Sequence, residues 1–179
     1  LLVAGCNNSS TSAPVKTTSA LVSIEAITAG AKGFTVGSPM SARTVYVFFD
    51  AQCPHCSALW YAAKPLKSQA KFVWIPVGIL NGASTSQGAT ILAASDPVAA
   101  METHEASMMS KGGGISATAD ADAQKDAIKK NTELMTSFGF ASIPTVVAKH
   151  AQTGELVKQE GAMPTAALAS FLGLQVPPQ

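Results

Sequence analysis

The strongest constraint on this chain is the string Thr44-Val45-Tyr46-Val47-Phe48-Phe49-Asp50-Ala51-Gln52-Cys53-Pro54-His55-Cys56. Its first six residues are all β-branched or aromatic, which reads as a strand buried on both faces. Pro54 suits the first position of a helix, where its missing N–H would have had no intrahelical partner. Trp60, Ala63 and Leu66 continue at helical spacing, and Pro65 is expected to kink this helix. A buried strand thus runs into a C-x-x-C that opens a helix.

That placement has chemical consequences. In a C-x-x-C at a helix start, the two sulfurs fall on one side of the first turn, close enough to bond. Cys53 meets the free N–H groups and the positive end of the helix dipole, which favour its thiolate. The thiolate is the nucleophile of thiol–disulfide exchange. His55 can add positive charge or a hydrogen bond, and Pro54 stiffens the turn. The expected cycle passes through a mixed disulfide on an exposed Cys53, which the deeper Cys56 resolves. No cofactor is called for beyond the Cys53–Cys56 disulfide itself. The competing reading, half of a structural zinc site, lacks the usual four ligands. The chain has no second C-x-x-C, and its histidines are His55, His104 and His150.

The rest of the chain supplies an α/β framework. A short helix is expected at 22–31 and a short strand at 34–36. A second long strand is expected at 71–80. Helices are expected at 84–95, at 97–110 behind an Asp96-Pro97 start, and at 120–138, closed by Gly139. Lys111-Gly112-Gly113-Gly114 reads as a loop. Strands at 145–150 and 155–160 flank a turn at 152–154, and a last helix occupies 164–173. The order is β-α-β, helices, β-β-α: a central mixed sheet with a helical segment inserted at about 82–140.

With 179 residues, 47% of them hydrophobic, the chain is long enough for one domain with a sizeable core. Its net charge of +1 gives no reason to expect nucleic acid as a partner. No apolar run of membrane-spanning length occurs. The third cysteine, Cys6, stands apart. Leu1-Leu2-Val3-Ala4-Gly5-Cys6 resembles the end of a bacterial lipoprotein signal, with small residues before the acylated cysteine. Residues 1–5 then belong to a cleaved signal whose beginning lies upstream, and Cys6 is a lipid anchor with no redox role. Residues 7–20 are small, polar and rich in Ser and Thr. They read as a tether spanning on the order of 20 Å, leading into a domain at 21–179.

VYVFFDAQCPHCSALWYAAKPL resembles the catalytic domain of the DsbC/DsbG group of bacterial Dsb enzymes. The strand, Asp50 three residues before the first cysteine, the Cys53–Cys56 motif, Trp60 and Pro65 carry the likeness. Val77-Gly78, Ala94-Ser95-Asp96-Pro97 and Pro144 extend it over roughly 34–162. The resemblance implies a thioredoxin-like fold and a periplasmic thiol–disulfide interchange activity. It also implies that Pro144, in Ser142-Ile143-Pro144-Thr145, is a cis-proline facing the cysteines. The backbone of Ile143 would then pair with an extended substrate, and Thr145 is either a further substrate-contact candidate or simply the first residue of the strand. Only about forty residues precede the first strong strand, too few for that group's dimerisation domain, so a monomer is expected. Pro54-His55 is the dipeptide typical of the oxidase DsbA, and Ile143 stands where the DsbC/DsbG group usually has Thr. The direction of electron flow therefore stays open, with a DsbD-like reductant or a DsbB-like oxidant as membrane partner and thiol- or disulfide-containing envelope proteins as substrates.

Asp50 is a candidate for proton transfer around Cys56; the alternative is a solvated turn residue at a strand end. Met101, His104, Met108 and Met109 lie at helical spacing. They are expected to form the edge of a solvated helix. A different class of function, a copper- or zinc-binding envelope lipoprotein, would use Cys53 and Cys56 with His104 and these methionines.

Overall fold

The computed structural model describes residues 20–178; the expected signal remnant, Cys6 and nearly all of the expected tether lie outside them. Strands β1 (Phe34–Gly37), β2 (Thr44–Asp50), β3 (Lys71–Val77), β4 (Thr145–Lys149) and β5 (Leu156–Glu160) form one sheet in the order β1-β3-β2-β4-β5. β2 and β3 pair in parallel, and the other three pairings are antiparallel. The parallel pair needs a crossover, supplied by helix α2 (Pro54–Ala63). The sheet is mixed and central, as expected.

Burial on both faces explains the apolar strings. Val45, Val47 and Phe49 alternate toward one side, where Trp60, Leu59, Phe72 and Trp74 join them. Phe48 points to the other side, with Ile27, Ile75, Val77, Met135, Phe138, Phe140 and Val147. The first side is covered by α2, α4 (Pro97–Met109) and α6 (Thr165–Leu172); the second by α1 (Ile24–Gly30) and α5 (Lys125–Ser137). Trp60 and Trp74 meet edge to face at 5.0 Å between ring centroids. Between β3 and β4 stand α3 (Gly82–Ala93), α4, a 3₁₀ segment at Ala119–Gln124, and α5. None of the described helices is long and apolar enough to cross a membrane.

Local chemistry sets the element ends. Ser23, Asn81 and Asp96 cap α1, α3 and α4 by accepting backbone N–H groups. Gly173 ends α6 in the left-handed region, at φ 72°.

Three expectations need correction. Pro65 does not kink α2: the helix stops at Ala63, and Lys64–Leu66 continue as a 3₁₀ turn. β3 ends at Val77 rather than at 80, because the next three N–H groups leave the ladder. Gly78 donates to Thr132 Oγ1, and Ile79 and Leu80 donate to Asp50 Oδ2. The helix expected at 120–138 is split into the 3₁₀ segment and α5.

Candidate active site

Cys53 is the N-cap residue of α2, in extended backbone, with Pro54 as the first helical residue. Its N–H donates to the Asp50 carbonyl at 3.0 Å, which turns the chain out of β2 and into the helix. No side chain, that of Cys53 included, makes a capping hydrogen bond to α2, so the N–H groups of its first turn are left to favour charge on the Cys53 sulfur. Its pKa is brought down to about 6 from an ordinary 9.0. The largest cause is the Cys56 thiol donating to it; the N–H groups of Cys56 and His55 and the charge of His55 add to this against the cost of burial. Cys56 is fully buried. Its thiol is pushed well up, first by desolvation and then by the Cys53 thiolate beside it. Cys53 and Cys56 are not joined by a disulfide in this structure. Pro54 and His55 are exposed, forming the outer surface of the turn.

Cys53 is not the exposed sulfur that the spacing suggested: the residue is only 5% accessible. The cause lies far along the chain. The Ile143–Pro144 peptide is cis, and the Ile143 carbonyl comes to 3.8 Å from Cys53 Sγ. Ile143 is half-buried and Pro144 buried against the site. Thr145 takes the second of its two expected roles, as the first residue of β4. It is fully buried, and its hydroxyl donates to the Ser142 carbonyl at 2.7 Å, closing the loop instead of facing a substrate. Glu160, at the end of β5, braces this loop by accepting from the N–H groups of Ala141 and Ser142. Nothing in the local sequence pointed to Glu160, because its partners lie across a hairpin.

Asp50 is not a solvated turn residue. It is fully buried, and its carboxylate accepts three backbone hydrogen bonds: from Gln52 at 2.9 Å, Ile79 at 2.8 Å and Leu80 at 3.1 Å. It ties the end of β2 to the end of β3.

The expectation of a solvated α4 also fails. Met101, His104 and Glu105 are fully buried. Their i, i+3, i+4 spacing is that of an inward-facing stripe, disguised by two polar residues. His104 Nδ1 accepts from the Ile115 N–H at 3.1 Å, so Nε2 carries the proton and donates to the Ala51 carbonyl at 2.6 Å. Burial moves its pKa down, which keeps the ring neutral. With both nitrogens committed to backbone, His104 has no lone pair for a metal. Among the described residues no group of three or more His, Cys, Asp or Glu could hold a metal ion.

Around His104 the Gly-rich loop wraps the shoulder of the site. Gln87 Nε2 donates to the carbonyls of Gly113 and Ile115, and Gln52, next to Cys53, also donates to Gly113. At Gly114, with φ +91°, an added Cβ would lie 2.3 Å from His104 Cε1. Only glycine fits there.

Behind the cysteines, Ser57 donates a hydrogen bond to Glu105 Oε2, while Glu105 Oε1 is buried with no partner. Burial pushes the Glu105 carboxyl up to about 7; Ser57 opposes this, and the Cys53 and Glu102 charges add to it. One turn along α4, Glu102 pairs with Lys64 and accepts from Trp60 Nε1 at 3.0 Å, locking α4 to α2.

No protein-family model matches the chain. It is 34% identical over 134 residues to the thiol:disulfide interchange protein DsbG of Pseudomonas aeruginosa, a match covering 73% of this chain and 51% of that protein. The chain therefore spans about half the length of the curated relative it matches. Among solved structures, the catalytic domain of Proteus mirabilis ScsC superposes with a TM-score of 0.61 at 16% identity, covering 83% of this chain and 95% of that one. A periplasmic thioredoxin-like protein from Salmonella enterica serovar Typhimurium gives 0.60 at 19% identity, covering 78% and 87%. The five-strand mixed sheet and the likeness to these structures show a thioredoxin-like fold, and in sequence the chain is similar to DsbG over about half of that protein.

Proposed function

We propose that this protein exchanges disulfides with thiol- or disulfide-containing proteins of the bacterial periplasm through Cys53 and Cys56, as a DsbG-like reductase or isomerase. The single observation that carries this reading is the pair of unlike sulfurs at the start of α2. One is acidic and sits against the Ile143 carbonyl; the other is buried and neutral. At pH 7 a pKa of about 6 leaves Cys53 mostly thiolate. Cys53 attacks a substrate disulfide, and the mixed disulfide lies beside Ile143 and Pro144, where an extended substrate strand can pair with the backbone. Cys56 then attacks Cys53 Sγ, releases the substrate thiol and leaves the Cys53–Cys56 disulfide. Electrons pass between sulfurs alone, so exchange needs no cofactor. A lipid on Cys6 would hold the domain at a membrane surface, and a DsbD-like membrane protein would return it to the dithiol.

A second reading, a DsbA-like oxidase recharged by a DsbB-like partner, is favoured by Pro54-His55 and by the acidity of Cys53. A lower pKa stabilises the dithiol and makes the disulfide more oxidising. The site value of about 6 falls between the roughly 7 of thioredoxin and the roughly 3.5 of DsbA. The reduction potential is therefore expected between about −270 and −120 mV. Equilibration with glutathione measures it: a value near the upper limit favours the oxidase, and one near the lower favours the reductase. Replacement Cys53→Ser is expected to reduce turnover of a disulfide-bonded test protein to background. Unchanged turnover would refute both readings.

A further inference from the structure

Glu105 is a buried carboxylate that the cycle described above does not use. It has no cation partner among the described residues, where the ion pairs are Lys64–Glu102 and Lys125–Asp122. One of its oxygens is hydrogen-bonded by Ser57, the residue after Cys56, and the other is buried with no partner. Leaving a buried carboxylate oxygen unsatisfied is costly, so a folded protein that keeps one needs a reason for it. The cycle has a matching need. Cys56 must lose a proton before it can attack, in surroundings that hold its thiol neutral. We infer that Glu105 is the proton acceptor for Cys56 in the resolving step, brought to the rear of the sulfur pair by α4.

The Cys56 S–H bond breaks and its proton passes, directly or across one water, to Glu105 Oε1. The Cys56 thiolate attacks Cys53 Sγ; the Cys53–Cys56 bond forms as the Cys53–substrate bond breaks. The substrate sulfur leaves with the electron pair and is protonated from solvent, and Glu105 then releases its proton to solvent. The groups facing Glu105 are Cys53, Cys56 and Ser57 from α2. On its own helix they are Glu102, which is held by Lys64, and His104, whose ring is turned to Ala51 and Ile115. A carboxyl whose pKa is raised to about 7 is well matched to accepting and returning a proton near neutral pH.

This inference rests on the proposed exchange cycle, and one experiment separates the two. The reduced full chain is mixed with oxidised glutathione across pH 5.5–9, quenched with acid, and analysed by mass spectrometry. A first phase, proportional to glutathione concentration, forms the Cys53 mixed disulfide. A second, concentration-independent phase resolves it. In the wild type the second phase is expected to accelerate through an inflection near pH 7. In Glu105→Gln the first phase persists, while the second slows by about 10²-fold at pH 8 and loses that inflection. Ser57→Ala keeps the carboxylate but removes the hydrogen bond that lowers its pKa, so the inflection moves to higher pH. This second variant keeps the test open if Glu105→Gln does not fold. A second phase unchanged in rate and pH profile in Glu105→Gln, or an unmoved inflection in Ser57→Ala, overturns the role of Glu105. Absence of the first phase in the wild type overturns the exchange reading itself.

Discussion

Cys53 and Cys56 share one helical turn, yet their two sides of the molecule treat charge in opposite ways. The Cys53 side offers N–H groups, a neighbouring thiol and the exposed His55, all of which favour a negative sulfur. The Cys56 side offers apolar packing, a thiolate and a buried carboxylate, which disfavour one. Sequence spacing already puts Cys53 at the helix end and Cys56 deeper, but it does not say what is packed against each. The fold separates them by using a helix end for one and the face of α4 for the other. Reactivity is set by what is packed against each sulfur.

The largest effect that would sharpen this contrast comes from removing the rear sulfur. Cys56→Ser should leave Cys53 able to attack but stop release, so that mixed disulfides with a test protein accumulate on non-reducing gels and turnover ceases. Equal turnover with and without Cys56 would break the division of labour.

A smaller effect concerns stability. The Glu105 carboxyl is raised in the fold from an ordinary 4.5 to about 7, so the folded state favours its neutral form. The associated cost is absent below about pH 4.5, grows as pH rises, and is complete above about 7. Glu105→Gln removes that dependence. Between pH 5 and pH 8 the wild type should lose about 2 to 3 kcal/mol relative to the variant in denaturant unfolding. The comparison must be made against the variant, because the reduced protein's Cys53 works in the opposite sense. Its depressed pKa adds stability that is fully present above about pH 9 and is lost as pH falls through about 6.

The smallest effect lies at the exposed dipeptide. Alkylation of Cys53 by iodoacetamide should rise with an inflection near pH 6. In His55→Ala it should move upward by less than about one pH unit, since the His55 charge is the weakest of the contributions named above. A shift of several units would place the control of Cys53 in His55 instead of the Cys56 thiol and the helix N–H groups.

Much of the site was legible because its parts are local. The apolar run of β2, Pro54 at the helix start and the C-x-x-C are contiguous, so their physics can be read from neighbours. Pro144 is legible only through the resemblance to the DsbC/DsbG group, which implies a cis-proline facing the cysteines. What could not be read depends on distant partners. Asp50 looks like a turn residue until the N–H groups of Ile79 and Leu80 are brought to it. Glu105 and His104 look like the wet side of a helix until α4 is laid across α2, and the stripe Met101-His104-Glu105 contradicts its own polarity. Thr145 begins a strand, as expected, but its hydroxyl is used by Ser142. The reach of Cys53 to solvent depends on Ile143, ninety residues away along the chain.

The clamp formed by Asp50 has a consequence for turnover. One carboxylate pins amides on both strand tips beneath the reactive sulfur, so the platform under Cys53 behaves as a single rigid footing. In the proposed exchange, a covalent bond made and broken at Cys53 in every cycle would leave the strand tips beneath it in place.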